Sequence, residues 1–281
     1  MRWKTTGGKR PTRALKASEL ADEIPGIKVG IYGDSGSGKT SLACQGKDVL
    51  VLLTEPNGLA SIKTWNPDAT VCMVEDIEEL HGWISELAGG ERSVDADGAK
   101  IKTASLDLTV RRLVIDSFTE LQRMLVDEIL SGEKRESLTL QEWGLLNDRS
   151  IDLIRTVRNL PIDLCVIFLA ETTEASDQRY IKPLVKGRKL PNECAQFFSA
   201  FGYAYRQSDD DGIAYRVLFG GSDRLISKQA TGLKRIEIPN FSAWKEAILA
   251  ATPEQVAEVD NEEENEPETL RRRRRSSRRS A

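Results

Sequence analysis

Gly33-Asp34-Ser35-Gly36-Ser37-Gly38-Lys39-Thr40 fits the pattern G-x-x-x-x-G-K-[ST], and it lies between an apolar run and a helical one. Each position has a chemical reason. Gly33, Gly36 and Gly38 let the backbone bend around an anion with no Cβ in the way. Successive N–H groups, with those of Asp34, Ser35 and Ser37 among them, then point inward at phosphate oxygens. The following helix adds its positive N-terminal end. Lys39 reaches the outer phosphates, Thr40 offers a hydroxyl to Mg²⁺, and Ser41 supports the inner phosphate. The loop therefore predicts ATP and Mg²⁺ as cofactors.

The flanks of the loop set the architecture. Ile27–Tyr32 (IKVGIY) reads as a buried strand entering it, and Lys39–Gln45 as a short helix leaving it. Further buried strands are predicted at Val49–Thr54 (VLVLLT), Ala69–Val74, Arg112–Asp116 (RLVID) and Ile162–Ala170 (IDLCVIFLA). Helical spacing covers Ile77–Ala88, Thr119–Leu130 and Leu140–Asn159, the last ended before Pro161. Gly89–Leu108 shows no clear period and reads as a surface insertion or hairpin. Ala200–Arg206 and Ala214–Phe219 flank a turn signal at Asp209–Gly212 and read as an antiparallel hairpin. Ile236–Ile238 adds a short strand and Ala243–Ala251 a helix. The alternation predicts an α/β fold, with a mostly parallel sheet flanked by helices and an antiparallel hairpin extension.

Three carboxylates end apolar strands. Asp116 closes Leu113-Val114-Ile115 and suits the Mg²⁺ water shell. Ser117 follows it, so the acidic neighbour that serves as base in many ATPases is missing. Glu55 closes Val49–Thr54 at the carboxyl edge, where ligands bind in such sheets, and is a candidate to orient the attacking water. The competing reading makes it a solvated loop glutamate beside Pro56. Glu171 ends the fifth strand and is open to a switch role or a structural one.

The chain has 281 residues, 40% apolar and 30% charged, which suits one large soluble domain with polar ends. No apolar run approaches about 18 residues, so no membrane helix is expected. Cys44, Cys72, Cys165 and Cys194 lack metal-ligand spacing and read as reduced thiols, and the lone His81 cannot build a metal site. The net charge of −4 hides segregation. Residues 1–23 form a basic arm, 24–251 the folded ATPase domain, and 252–281 a disordered tail, acidic over Glu254–Glu268 and arginine-rich over Arg271–Arg279. The tail reads as a solubility segment, a nucleic-acid contact, a targeting run, or a mask formed by pairing with its own acidic stretch.

GDSGSGKT, LLTEPNGL, RLVIDSFTEL and VIFLAET, in this order, resemble the RecA-like recombinase ATPases, and especially the compact phage-encoded single-strand-annealing ATPases. The resemblance covers roughly Ile27 to Ile238. It implies a P-loop NTPase of RecA-like type acting on single-stranded DNA by annealing or strand pairing. It places the catalytic glutamate on Glu55, the magnesium-site aspartate on Asp116 and the polar switch on Glu171, where glutamine is usual. DNA-contacting loops would fall at about Ser131–Gln141 and Thr172–Pro191, the second carrying Arg179, Lys182, Lys186, Arg188 and Lys189 with Tyr180 among them. Such a loop suits a phosphate backbone with one stacking ring; the competing reading is a solvated basic loop. A neighbouring subunit would complete the site with a cation, for which Lys228, Lys234 and Arg235 are candidates. The resemblance further implies a homo-oligomer with ATP at its interfaces, a single-strand-binding protein as partner, and a cytoplasmic setting in a phage-infected bacterial host.

Other classes remain open at this level. A small-molecule kinase would use the basic segment Arg179–Lys189 as a lid, but no acceptor site is evident. A packaging or helicase motor would carry an acidic pair where Asp116-Ser117 stands. A nucleotide-gated loader or mediator would need no turnover, and whether Glu55 faces the γ-phosphate separates it from an ATPase.

Overall fold

The computed structural model describes residues 26–251, except 132–134, 136, 176–177, 188, 210–211 and 222–223. The arm over 1–23 and the tail over 252–281 lie outside the described residues. Three strands are fully buried runs: β1 (Lys28–Gly33), β2 (Val49–Leu53) and β7 (Arg112–Asp116). Such continuously buried strands need cover on both faces, which is the condition of a parallel sheet. β3 (Thr70–Met73), β8 (Asp163–Ala175) and β10 (Ala200–Asp209) join them in parallel, while β11 (Gly212–Leu218) and β12 (Ile236–Glu237) extend the sheet antiparallel. The order is β12-β11-β10-β1-β8-β7-β2-β3, with β9 (Gln178–Pro183) paired to β8.

Side chains alternate across this sheet and sort into two cores. On one face Tyr32, Leu50, Leu52, Leu113, Ile115 and Phe168 pack under α3 (Ile77–Gly89), α4 (Phe118–Leu130) and α5 (Leu140–Arg158). On the other, Val29, Ile31, Val51, Val114 and Ile167 meet α1 (Lys39–Ala43), α2 (Leu59–Trp65) and α7 (Phe241–Leu249). A one-turn helix α6 (Leu190–Glu193) follows β9. The starts of α3, α4 and α5 are capped by side chains, with Asp76 accepting from Glu79 N, Ser117 from Glu120 N, and Thr139 forming a reciprocal pair with Glu142.

Buried charges fasten the edge of the sheet opposite the loop. Lys28 Nζ donates to the carbonyls of Leu160, at 2.7 Å, and Ile162. Arg112 stacks over the Phe241 ring at 3.5 Å and donates to the carbonyls of Ala43 and Gln45, tying β7 to α1 and α7. Asp163 accepts from Ile27 N at 3.0 Å and pairs with Lys245 at 3.0 Å.

Within Gly89–Leu108 the expected hairpin is present: β4 (Glu91–Asp95) and β5 (Gly98–Lys102) pair antiparallel, and β6 (Thr109–Val110) joins β5 to complete a small separate sheet. One expectation changes: much of Thr172–Pro191 is strand rather than loop. β8 runs on to Ala175 and pairs with β9 antiparallel, Thr172 opposite Ile181 and Glu174 opposite Arg179.

Candidate functional site: the phosphate loop and its carboxylates

β1 delivers the loop to the carboxyl edge of the sheet. Gly36 (φ 74°) and Gly38 (φ 84°) take the left-handed backbone that a side chain resists. A Cβ at Gly33 would collide with the Ala204 carbonyl of β10, so glycine is needed there for close approach. Ser37 N closes the turn onto Asp34 O at 3.2 Å. The exposed Asp34 accepts from the Tyr203 hydroxyl at 3.4 Å.

Lys39 is buried and folds back on its own loop, Nζ donating to the carbonyls of Gly33 (2.9 Å) and Asp34 (2.8 Å). An incoming phosphate would replace these carbonyls as the ammonium's partners. Burial pulls the Lys39 pKa down, while Asp116, Asp34 and Glu55 pull it back up.

Thr40 Oγ1 donates to Asp116 Oδ2 at 2.6 Å, joining the start of α1 to the end of β7. Burial pushes the Asp116 carboxyl above its ordinary value, opposed by the Thr40 hydrogen bond and Lys39 and reinforced by Glu55. Thr54, just past the end of β2, brackets the Asp116–Ser117 peptide, which is cis. Its N–H donates to Asp116 O at 2.8 Å, and its hydroxyl accepts from Ser117 N at 2.9 Å. Ser117 is the N-cap of α4, its hydroxyl accepting from Glu120 N. A hydroxyl and a carboxylate side by side are hard oxygen donors, which suits Mg²⁺ with the rest of its shell as water. Among the described residues no cluster of three or more His, Cys, Asp or Glu forms a metal site of another kind.

Glu55 follows β2 and shares the cleft with the loop, Asp116 and Ser117. The cleft encloses about 610 Å³. Lys39, Thr40, Ser41, Glu55 and Asp116 thus converge on one space.

The other predicted residues lie elsewhere. Glu171 sits on a strand that continues past it and is ion-paired with Lys182 at 3.3 Å, its partner in the β8–β9 register. It does not line the cleft, whereas Ile167 and Leu169 of the same strand do. Arg179 donates to Thr172 Oγ1 across the hairpin at 3.1 Å. Lys186 and Lys189 are exposed beyond β9, and Arg188 lies outside the described residues. Among the trans candidates, Lys228 Nζ is tied to Phe198 O at 2.7 Å, Lys234 is exposed, and the Arg235 side chain packs over Gly220. Within Ser131–Gln141, residues 132–134 and 136 lie outside the described residues and α5 begins at Leu140.

Reading the sequence missed Thr54, Tyr215 and Arg206. Tyr215 lies against Gly38, and the Arg206 guanidinium stands beside Gly36. The four cysteines are free, and burial pushes the thiols of Cys44 to about 11 and of Cys165 and Cys194 to about 12. Among the described residues no helix is long and apolar enough to cross a membrane.

Residues 25–231 match the family described as an AAA domain. No curated protein matches the chain. Among solved structures, a KaiC-like protein from the hyperthermophilic archaeon Pyrococcus horikoshii is similar at 14% identity and a TM-score of 0.37, over 69% of this chain and 78% of that one.

Proposed function

The chain belongs to the AAA-domain family, a group of ATPase-type P-loop domains, and from that premise we propose that it is a Mg²⁺-dependent ATPase whose turnover is coupled to single-stranded DNA. The observation that carries the hydrolytic part is the convergence of Lys39, the Thr40–Asp116 pair and Glu55 on one cleft. Bound Mg²⁺ supplies charge neutralisation on the phosphate oxygens. Thr40 and Asp116 hold it, the loop N–H groups and Lys39 hold the phosphates, and Glu55 orients water toward the γ-phosphorus and accepts its proton.

The DNA-coupled part is supported by the β8–β9 hairpin. It is an uninterrupted extension of a strand that lines the cleft at Ile167 and Leu169. It is also bonded back to the nucleotide-binding strand, Tyr32 OH donating to Ile181 O at 3.4 Å. The hairpin's own Arg179 and Lys182 stand opposite Glu174 and Glu171, and the exposed Lys186 and Lys189 add positive charge beyond β9. In this reading subunits assemble with ATP between them, an exposed cation such as Lys234 completes the neighbour's site, and the hairpins line the strand. The outcome is annealing or strand pairing.

The test is the ATPase rate of the purified protein with and without single-stranded DNA, at two salt concentrations. A DNA-stimulated rate that falls with salt supports the coupling, because phosphate contacts release counterions. A rate indifferent to DNA removes it. A Lys39→Ala variant that hydrolyses ATP normally removes the site itself.

A further inference from the structure

The cleft has an apolar end that the phosphate chemistry does not use. In the β10–β11 register Arg206 stands opposite Tyr215, and this pair lies above the loop. A Cβ placed on Gly38 would come within 3.0 Å of the Tyr215 ring. Yet Tyr215 remains 42% exposed and Ile238 66% exposed, and both line the cleft with Pro239. Large apolar side chains left open to water on a cavity wall are the usual lining of a ligand site.

This wall is anchored. Gln45, just past α1, donates from Nε2 to Pro239 O at 3.3 Å and accepts at Oε1 from Phe241 N at 3.3 Å. The Ile238–Pro239 segment is therefore fixed to the end of the loop helix. The polar end lies the other way. Asp116 and Glu55 come off β7 and β2, on the opposite side of β1 from β10, β11 and β12. A triphosphate seated in the loop with its γ end toward Glu55 directs its other end toward Tyr215.

We propose that Tyr215, with Ile238 and Pro239, is the platform for the planar base of the nucleotide, so that the β10–β11 hairpin makes the site prefer a nucleoside triphosphate over bare triphosphate. The proposal rests on the ATP site of the preceding section. The tyrosine ring offers a face for stacking, and the Ile238–Pro239 edge closes the slot from the side.

The test is equilibrium binding of ATP, and separately of inorganic tripolyphosphate, to the full chain and its variants. Tyr215→Ala should weaken ATP roughly tenfold and leave tripolyphosphate within about twofold of wild type. Tyr215→Phe should keep ATP affinity. Ile238→Ser, at a side chain mostly open to water, should show the same selective loss as Tyr215→Ala in smaller measure.

Unchanged ATP affinity in both Tyr215→Ala and Ile238→Ser, with Lys39→Ala unable to bind, would overturn the platform and leave the phosphate site standing. Equal losses for ATP and tripolyphosphate would mean that Tyr215 only braces Gly38, and would also overturn it. A loss falling instead on Trp65→Ala would put the base against α2. Wild-type protein that binds neither ligand would remove the nucleotide reading and the platform with it.

Discussion

Thr40 and Asp116 are 76 residues apart in the chain, and their side chains meet at 2.6 Å. The contact joins the first turn of α1 to the last residue of β7, two elements that the sheet brings together only through β8. It places a hydroxyl and a carboxylate side by side at the loop, the pair proposed to hold Mg²⁺. Asp116→Asn keeps the shape and one acceptor but removes the charge. Its expected effect is an activity loss of about 10–100-fold that rising Mg²⁺ partly restores, with ATP binding in the absence of metal retained. A Mg²⁺ titration of the ATPase rate checks this, and a wild-type Mg²⁺ profile would exclude Asp116 from the metal site.

Glu55 owes its position to the end of a fully buried strand and to Pro56, which begins the 3-10 turn after it. Glu55→Gln preserves size and hydrogen bonding while deleting the proton acceptor. The expected result is ATP affinity close to wild type and turnover reduced by roughly 10²–10⁴-fold. Single-turnover hydrolysis separates the two. Undiminished hydrolysis would return Glu55 to the role of a solvated loop residue and favour a different base.

How much of this was legible beforehand follows from burial. β7 is legible with its true ends because a buried apolar core, Leu113-Val114-Ile115, is bounded by Arg112 and Asp116. The apolar run ends at Ala170 while β8 continues to Ala175, because its last five residues, Glu171-Thr172-Thr173-Glu174-Ala175, are mostly polar. They leave the core and pair only with β9, so no apolar run marks them. α2 was missed for the same reason, since Ile62 is the one buried residue in its seven. The loop and its two carboxylates were legible because their chemistry is written in residue type and strand position. Thr54 and Tyr215 were not, since each matters through a neighbour far away in sequence. Thr54 meets the Asp116–Ser117 peptide, and Tyr215 meets Gly38.

The Glu171–Lys182 pair gives the hairpin prediction. Both side chains are partly exposed, so the pair is worth at most about 1 kcal/mol of stability. Glu171→Gln leaves Lys182 without its counter-charge on a surface expected to meet DNA. Basal ATPase should stay near wild type, while single-stranded DNA binds more tightly and with a steeper dependence on salt. Fluorescence anisotropy with a labelled oligonucleotide at several salt concentrations measures it. A sharp fall in basal turnover would instead return Glu171 to the cleft as a switch.

Lys28 gives a prediction about pH that does not involve the site. Burial lowers its pKa to about 8, and the nearby Asp163 only partly offsets this. A lysine whose folded pKa lies below its unfolded value of 10.5 holds its proton less tightly when folded. Its contribution to stability is therefore fully present above 10.5 and is lost as pH falls through about 8. Between those values wild-type protein gains stability from this residue as pH rises. Lys28→Met cannot titrate, and it also gives up the hydrogen bonds to Leu160 O and Ile162 O. It should thus be less stable in alkali, where the neutral lysine still donates to those carbonyls. It should approach or exceed wild type below about pH 8, where the charged ammonium bears the cost of burial. The check is the difference in Tm between the two proteins from pH 7 to 10, which must widen in favour of wild type as pH rises. A difference that stays flat would mean that water reaches the ammonium and that the shift is absent.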